Sequence, residues 1–191
     1  MCIRDSAWLG FLTADEVQAV PSWRDWLDTL AQQRRVTRLA TPGGAVWVTA
    51  ERLPQFLALW PDAVLAPAIA APGTHAGKNW SPDEALVEIL RGRLEGLGPV
   101  TAEALAAPLA RQSGIAAALT ALEVEGFAMR GRFSPGAADE QWCERRLLAR
   151  IHGYTVKRLR AEIEPVSARD FFRFLFVWQR VEPSARRRLT V

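Results

Sequence analysis

Two Pro-Gly turns constrain this chain more than any other feature. Pro42-Gly43 lies between β-prone segments at 36–40 and 45–49. Pro135-Gly136 lies between a segment of alternating apolar and polar or small residues at 127–133 and a return segment at 140–142. A short turn between two such segments closes a β-hairpin. The same order of residues recurs around both turns. The first block reads Leu30, Val36, Pro42, Gly43, Trp47, Glu51, Arg52 and Leu53; the second reads Leu122, Phe127, Pro135, Gly136, Trp142, Glu144, Arg145 and Leu147. A weak internal repeat of this kind favours tandem small units over one larger domain.

Helical patterns surround the hairpins. Thr13 with Glu16 three residues on is a capping-box pattern and predicts a helix over 12–20. Ser22 can cap a second helix, in which Trp23, Trp26, Leu27 and Leu30 recur at helical spacing. A helix over 51–60 ends at Pro61. Residues 61–81 are rich in Pro, Ala and Gly without periodicity, as in a linker or an irregular cover. An amphipathic helix over 83–97 carries Leu86, Ile89, Leu90, Leu94 and Leu97 on one side and stops at Gly98-Pro99. Thr101 caps a short helix. Gly114 precedes a third, with Ile115, Leu119, Leu122 and Val124, and Gly126 marks its end. Three helices followed by a hairpin is the winged-helix order. The expected fold class is therefore mainly α with small β-hairpins (α+β), built as tandem winged-helix domains. Residues 7–60 would form a partial winged helix, 61–82 a linker and 83–143 a second winged helix. Residues 144–191 would hold a long basic helix and the start of a further, truncated winged helix.

Composition excludes several classes. At 49% hydrophobic and 24% charged residues the chain is globular rather than disordered. No apolar run approaches the roughly 18 residues of a membrane span, the stretch 63–71 being broken by Pro67, and no membrane partner is expected. Two cysteines, Cys2 and Cys143, cannot make a disulfide framework, and no Cys/His cluster has zinc spacing, so no metal site is expected and a reducing, cytoplasmic location fits. His75 and His152 stand alone. No phosphate-binding GxxxxGK[ST] loop and no DEAD-like box is present, so these residues are expected to need no cofactor. Met1–Ser6, MCIRDS, back-translates to a common transposase sequencing adapter and is expected to be foreign to the protein. The closing Arg186, Arg187 and Arg188 follow a strongly apolar segment, as in a fragment of a longer chain.

Charge is distributed unevenly. Residues 143–191 hold 12 of the 24 Lys and Arg but only 5 of the 21 Asp and Glu. Six of those twelve cations lie on a helix expected over 144–164. There Leu148, Ile151, Thr155 and Leu159 form an apolar stripe expected to be buried. Opposite it, Arg146, Arg150, Gly153, Lys157 and Arg160 form a basic stripe with a glycine at its middle, where a backbone can approach closely. Arg130 and Arg132 alternate in the wing segment. These six cations are the candidate nucleic-acid contacts, directed at DNA phosphates without sequence specificity. Four phosphate contacts would give a log–log salt slope of about −2.8 on single strands and −3.6 on duplex. The third helix has no Lys, Arg, Asn or Gln over 114–125 and reads as a packing element rather than a reader of bases. Trp23, Trp26, Trp47 and Trp142 fall at core-like positions. No residue is assigned a catalytic role.

Five runs carry a resemblance: GPVT at 98–101, LEVEG at 122–126, WCERRLLARIH at 142–152, LRAEIEPVS at 159–167 and FFRFLFVWQ at 171–179. Together they resemble the Lhr family, large helicase-related proteins of bacteria within the superfamily 2 DNA helicases. The resemblance covers residues 7–191 and is specific from residue 93 onward. It implies a segment that follows the helicase core, in an array of winged helices. It also implies a parent that is an ATP-driven 3′-to-5′ DNA translocase and helicase of DNA repair, with ATP and magnesium held by its motor. The partners implied are DNA, the neighbouring helicase-core and C-terminal domains of the same protein, and a possible homo-oligomer. The family's C-terminal array is similar to AlkZ-like DNA glycosylases, whose motif is a Gln-x-Gln or Gln-x-Asp pair. Here Gln179 is followed by Arg180 and Val181, which does not match, so no catalytic role passes to Gln179. Gly153 is another departure, standing where the family's pattern implies a basic residue. A glycosylase region and a structural oligomerisation module, built on the Phe-rich run 171–178, are the alternative readings.

Overall fold

The computed structural model describes residues 10–110 and 113–181. Met1–Ser6, Cys2 and Arg186–Arg188 lie outside them. The chain is an α+β fold with small antiparallel sheets. It divides into two compact units, one up to Arg150 and one from Ile151 onward.

The first unit opens with strand β1 (Leu12–Thr13) and helix α1 (Ala14–Ala19). The capping box forms as expected: Glu16 N donates to Thr13 Oγ1 at 3.2 Å, and Thr13 N donates to Glu16 Oε2 at 2.8 Å. The helix starts two residues later than its periodicity predicted, because Leu12 pairs with Trp47 as a strand residue and is buried there. Helix α2 (Pro21–Gln32) leads to strands β2 (Val36–Thr41) and β3 (Gly44–Thr49), with Thr41 opposite Gly44 around the Pro42-Gly43 turn. Helix α3 (Leu53–Leu59) follows, and then a two-residue strand, β4 (Leu65–Ala66). The sheet order is β1-β3-β2-β4.

Residues 61–82 are more than a tether. Leu65 pairs with Leu39, and the buried Thr37 hydroxyl donates to the Pro67 carbonyl at 2.6 Å. Ala63, Leu65, Ile69 and Trp80 pack against the core, and a short helix, α4 (Gly73–Ala76), lies within the segment.

Helix α5 (Pro82–Leu97) is the centre of the unit. Ser81 and Glu84 cap it reciprocally, and Ala85, Leu86, Ile89, Leu90 and Leu94 are buried. Helix α6 (Ala102–Ala106), capped by Thr101, runs into a 3-10 turn at Ala107–Leu109. Helix α7 (Ile115–Val124) buries Ile115, Ala118, Leu119 and Leu122. Strands β5 (Ala128–Gly131) and β6 (Gln141–Glu144) form the second hairpin, with Val100 bridged to Trp142 on the far side of β6.

The two blocks read from the sequence share one hydrophobic core. Phe11, Leu39, Val48 and Phe56 from the first lie in one cluster with Ile89, Leu90, Leu119 and Trp142 from the second. Buried Arg93 of α5 joins the blocks electrostatically. It pairs with Glu16 at 2.6 Å, donates to the Phe11 carbonyl at 2.9 Å and covers the Phe11 ring at 4.4 Å. The packing boundary accordingly falls at residue 150, and 61–82 lies inside the first unit rather than between two separate ones. A smaller cluster of Leu12, Val17, Leu27, Leu30 and Val36 is flanked by half-buried Trp23, Trp26 and Trp47.

Helix α8 (Arg145–Ala161) starts in the first unit and continues into the second, which also holds α9 (Ala168–Trp178). No described helix is long and apolar enough to cross a membrane.

Candidate nucleic-acid interface

The site begins where β6 becomes α8. Glu144 is only 8% exposed, yet its carboxylate has two partners: the backbone N–H groups of Arg146, at 2.9 Å, and of Leu147. These are donors that a helix N-terminus leaves open, and a carboxylate there also opposes the positive end of the helix dipole. Arg145 N donates to the Phe127 carbonyl at 2.9 Å. Both contacts fix the direction in which α8 leaves the hairpin, and with it the placement of Arg145, Arg146 and Arg150.

Those three arginines line a cleft of about 1270 Å³ in the first unit. Arg52, Glu88, Arg91, Glu95, Glu125 and Phe127 also line it. Five guanidiniums thus face four carboxylates, and the balance depends on which carboxylates are already engaged. Arg91 takes two of them, reaching Glu88 at 2.9 Å and Glu125 at 2.6 Å, while its guanidinium covers the Phe127 ring at 4.8 Å. Burial works against the charged form of Arg91, and the bonds to Glu125 and Glu88 outweigh it, raising its pKa. Glu144 is engaged by the helix N-terminus. Glu95 remains. Burial pushes its carboxyl above the ordinary value, against the pull of Arg52 and with a further push from Glu144. Among the described residues Arg145, Arg146 and Arg150 make no ion pair. Three guanidiniums that make no ion pair among the described residues can offer charge-assisted, bidentate donors to phosphate oxygens.

The structure separates the six candidate cations. Arg146 and Arg150 come together in the cleft. Lys157 and Arg160 are exposed on the part of α8 that belongs to the second unit. Arg130 is engaged by protein: it lies 3.5 Å from Glu123 and 3.7 Å from Glu140, over the Trp142 ring at 5.7 Å. Arg132 is exposed, one residue past the end of β5, so the two wing arginines do not share a strand face. At Gly153 an added Cβ would meet nothing within 4 Å, which leaves that point of α8 open. The stripe expected to be buried is not covered among the described residues: Leu148 is half-buried, and Ile151, Thr155 and Leu159 are exposed.

Helix α7 turns Ala116, Ala117, Thr120 and Val124 outward and offers no cation or amide there, in keeping with a packing role. No group of three or more metal-ligating side chains occurs among the described residues.

Sequence reasoning missed Arg52, Arg91, Arg145 and Glu95 as parts of the site. A signal for two of them was present. The repeat aligns Glu51-Arg52 with Glu144-Arg145, and the fold brings both arginines to one cleft. Arg91 and Glu95 sit on a helix that reads as purely structural.

Fold and cleft together define an α+β segment with a cleft lined by five arginines and four glutamates. No family model matches the chain. Among curated proteins it is similar to the "Lhr helicase/ probable uracil glycosylase" of Mycolicibacterium smegmatis (strain ATCC 700084 / mc(2)155), at 29% identity over 170 residues. That match covers 88% of this chain and 10% of the relative, so the chain spans about a tenth of the length of the protein it matches.

Proposed function

We propose that this chain is a DNA-binding and scaffolding segment of a Lhr-type ATP-dependent 3′-to-5′ DNA helicase that serves DNA repair. The motor, with its ATP and magnesium, would belong to another part of the longer protein. The cleft carries this reading: three arginines without acidic partners, held by a capped helix start, suit a phosphate backbone. The winged-helix assignment draws support from the order α5, α6, α7, β5, β6 and from the Val100–Trp142 bridge that adds a short third strand. Recognition would be independent of sequence, because α7 shows no base-reading side chain outward.

The test is binding to labelled single-stranded and duplex DNA at about 50 and 200 mM salt. Four phosphate contacts would weaken binding roughly 50- to 150-fold over that range. The Arg146→Ala/Arg150→Ala/Lys157→Ala/Arg160→Ala variant would flatten the dependence. Absence of binding to either DNA would refute the proposal.

A second reading rests on the relative's printed name, which includes a probable uracil glycosylase. Glu95, whose carboxyl burial holds above its ordinary value even with Arg52 and Arg91 nearby, is the group in the cleft that would serve such chemistry. Uracil release from a uracil-containing oligonucleotide, abolished by Glu95→Gln, would favour it over a binding role.

A further inference from the structure

We infer that α9 is a stacking platform for single-stranded nucleic acid, along the edge where Arg169, Phe172, Arg173 and Phe176 alternate. This deepens the proposed function and rests on the nucleic-acid reading of the chain, on residues other than those that line the cleft.

Spacings of three and four residues put these four side chains on one side of the helix. They line a groove of about 610 Å³ together with Val181. Phe172 is 56% exposed and Phe176 51%, and their ring centroids lie 6.4 Å apart at 34°. Around the helix, Phe174 and Trp178 stack at 5.8 Å and 30° with Trp178 72% exposed.

Open aromatic rings alone would suit any apolar partner. The charges select among partners. Arg169 and Arg173 make no ion pair among the described residues. The acid within α9, Asp170, is taken up at the helix start, where Ser167 Oγ donates to its carboxylate at 2.6 Å. The surface is therefore cationic and aromatic in alternation. A second copy docking through this same face would set Arg169 and Arg173 against their own counterparts. A duplex hides its base faces in its own stack. A single strand offers both complements at once, planar faces for the rings and phosphates for the guanidiniums.

The experiment compares the full 191-residue chain on three probes of equal length, roughly 16 nucleotides. They are an oligothymidylate, an abasic strand with the same phosphates, and a duplex. The expected result is that the oligothymidylate binds at least about tenfold more tightly than the abasic strand. Phe172→Leu/Phe176→Leu, which keeps apolar volume and removes the rings, should abolish that difference while leaving abasic and duplex binding unchanged. Circular dichroism and thermal melts confirm that the variant folds. Equal affinity for the base-bearing and abasic strands would overturn the inference and leave the phosphate cleft standing. A variant that changes only self-association in sedimentation would also overturn it, showing a protein partner on this face. Failure of all three probes to bind would remove the nucleic-acid reading as a whole.

Discussion

The two hairpins share a sequence pattern and serve opposite purposes. β2–β3 is embedded. Its strands are the middle pair of a four-stranded sheet, and its tip presses on the 3-10 turn after α6. A Cβ on Gly43 would stand 2.7 Å from the Ala107 carbonyl oxygen and 2.8 Å from that of Pro108, and the Thr41 hydroxyl donates to the Pro108 carbonyl at 3.2 Å. β5–β6 has shorter strands and an open tip, where a Cβ on Gly136 would meet nothing within 4 Å. The first hairpin spends its surface on joining the two blocks. The second keeps its surface free and ends by launching the helix whose arginines form the cleft. A repeated motif thus divides its labour by what its turn touches.

The largest expected effect lies at the joint between the blocks. Arg93→Ala removes a buried ion-pair partner and should cost about 3 kcal/mol, lowering the melting temperature by roughly 10 °C. The pair also fixes a pH dependence. Burial acts to raise the Glu16 carboxyl, but the bonds to Arg93 and Thr13 prevail and hold it below its ordinary value of 4.5. A depressed carboxylate stabilises the fold above its unfolded value and loses that contribution as pH falls through the folded one. Thermal melts between about pH 6 and 2 should therefore show an acid limb that is shallower in Arg93→Ala.

The next effect tests the contrast between the turns directly. Gly43→Ala forces a methyl group into backbone atoms and should cost about 2–3 kcal/mol. Gly136→Ala carries only the penalty of a positive φ, 73° here, of about 1 kcal/mol. Denaturant titration of both would measure the gap, and equal losses would erase the distinction between an embedded and an open tip.

The smallest effect is at Glu95. Removing the Glu95 carboxylate from beside the arginines should tighten DNA binding about threefold in Glu95→Gln. Because its pKa is raised, the wild-type chain should gain a similar amount as pH drops through that value, and Glu95→Gln should be flat over the same range. Glu88, Glu125 and Glu144 face the same cleft, but each is already bonded, so titration of Glu95 should govern the change.

Most of the elements were legible because local chemistry specified them. The Thr13–Glu16 and Ser81–Glu84 boxes, the Pro42-Gly43 turn and the apolar spacing of Leu86, Ile89, Leu90 and Leu94 each act within a few residues. What escaped was non-local. Residues 61–81 have no pattern of their own, yet Leu65 pairs with Leu39 and Thr37 bonds Pro67, contacts that only the finished sheet supplies. Glu16 read as a capping residue, and its bond to Arg93, 77 positions away, left no local trace. The basic stripe of α8 was visible as spacing. Its partition between two units was not, nor was the recruitment of Arg52 and Arg91 from other elements.

The most direct measurement is the salt dependence of DNA affinity for the wild-type chain and for Arg145→Ala/Arg146→Ala/Arg150→Ala. If the cleft holds phosphates, the log–log slope should become shallower by about 2 on single strands and 2.7 on duplex, with thermal stability unchanged within about 0.5 kcal/mol. A wild-type slope retained in the triple variant would contradict the cleft and move the phosphate contacts elsewhere on the chain.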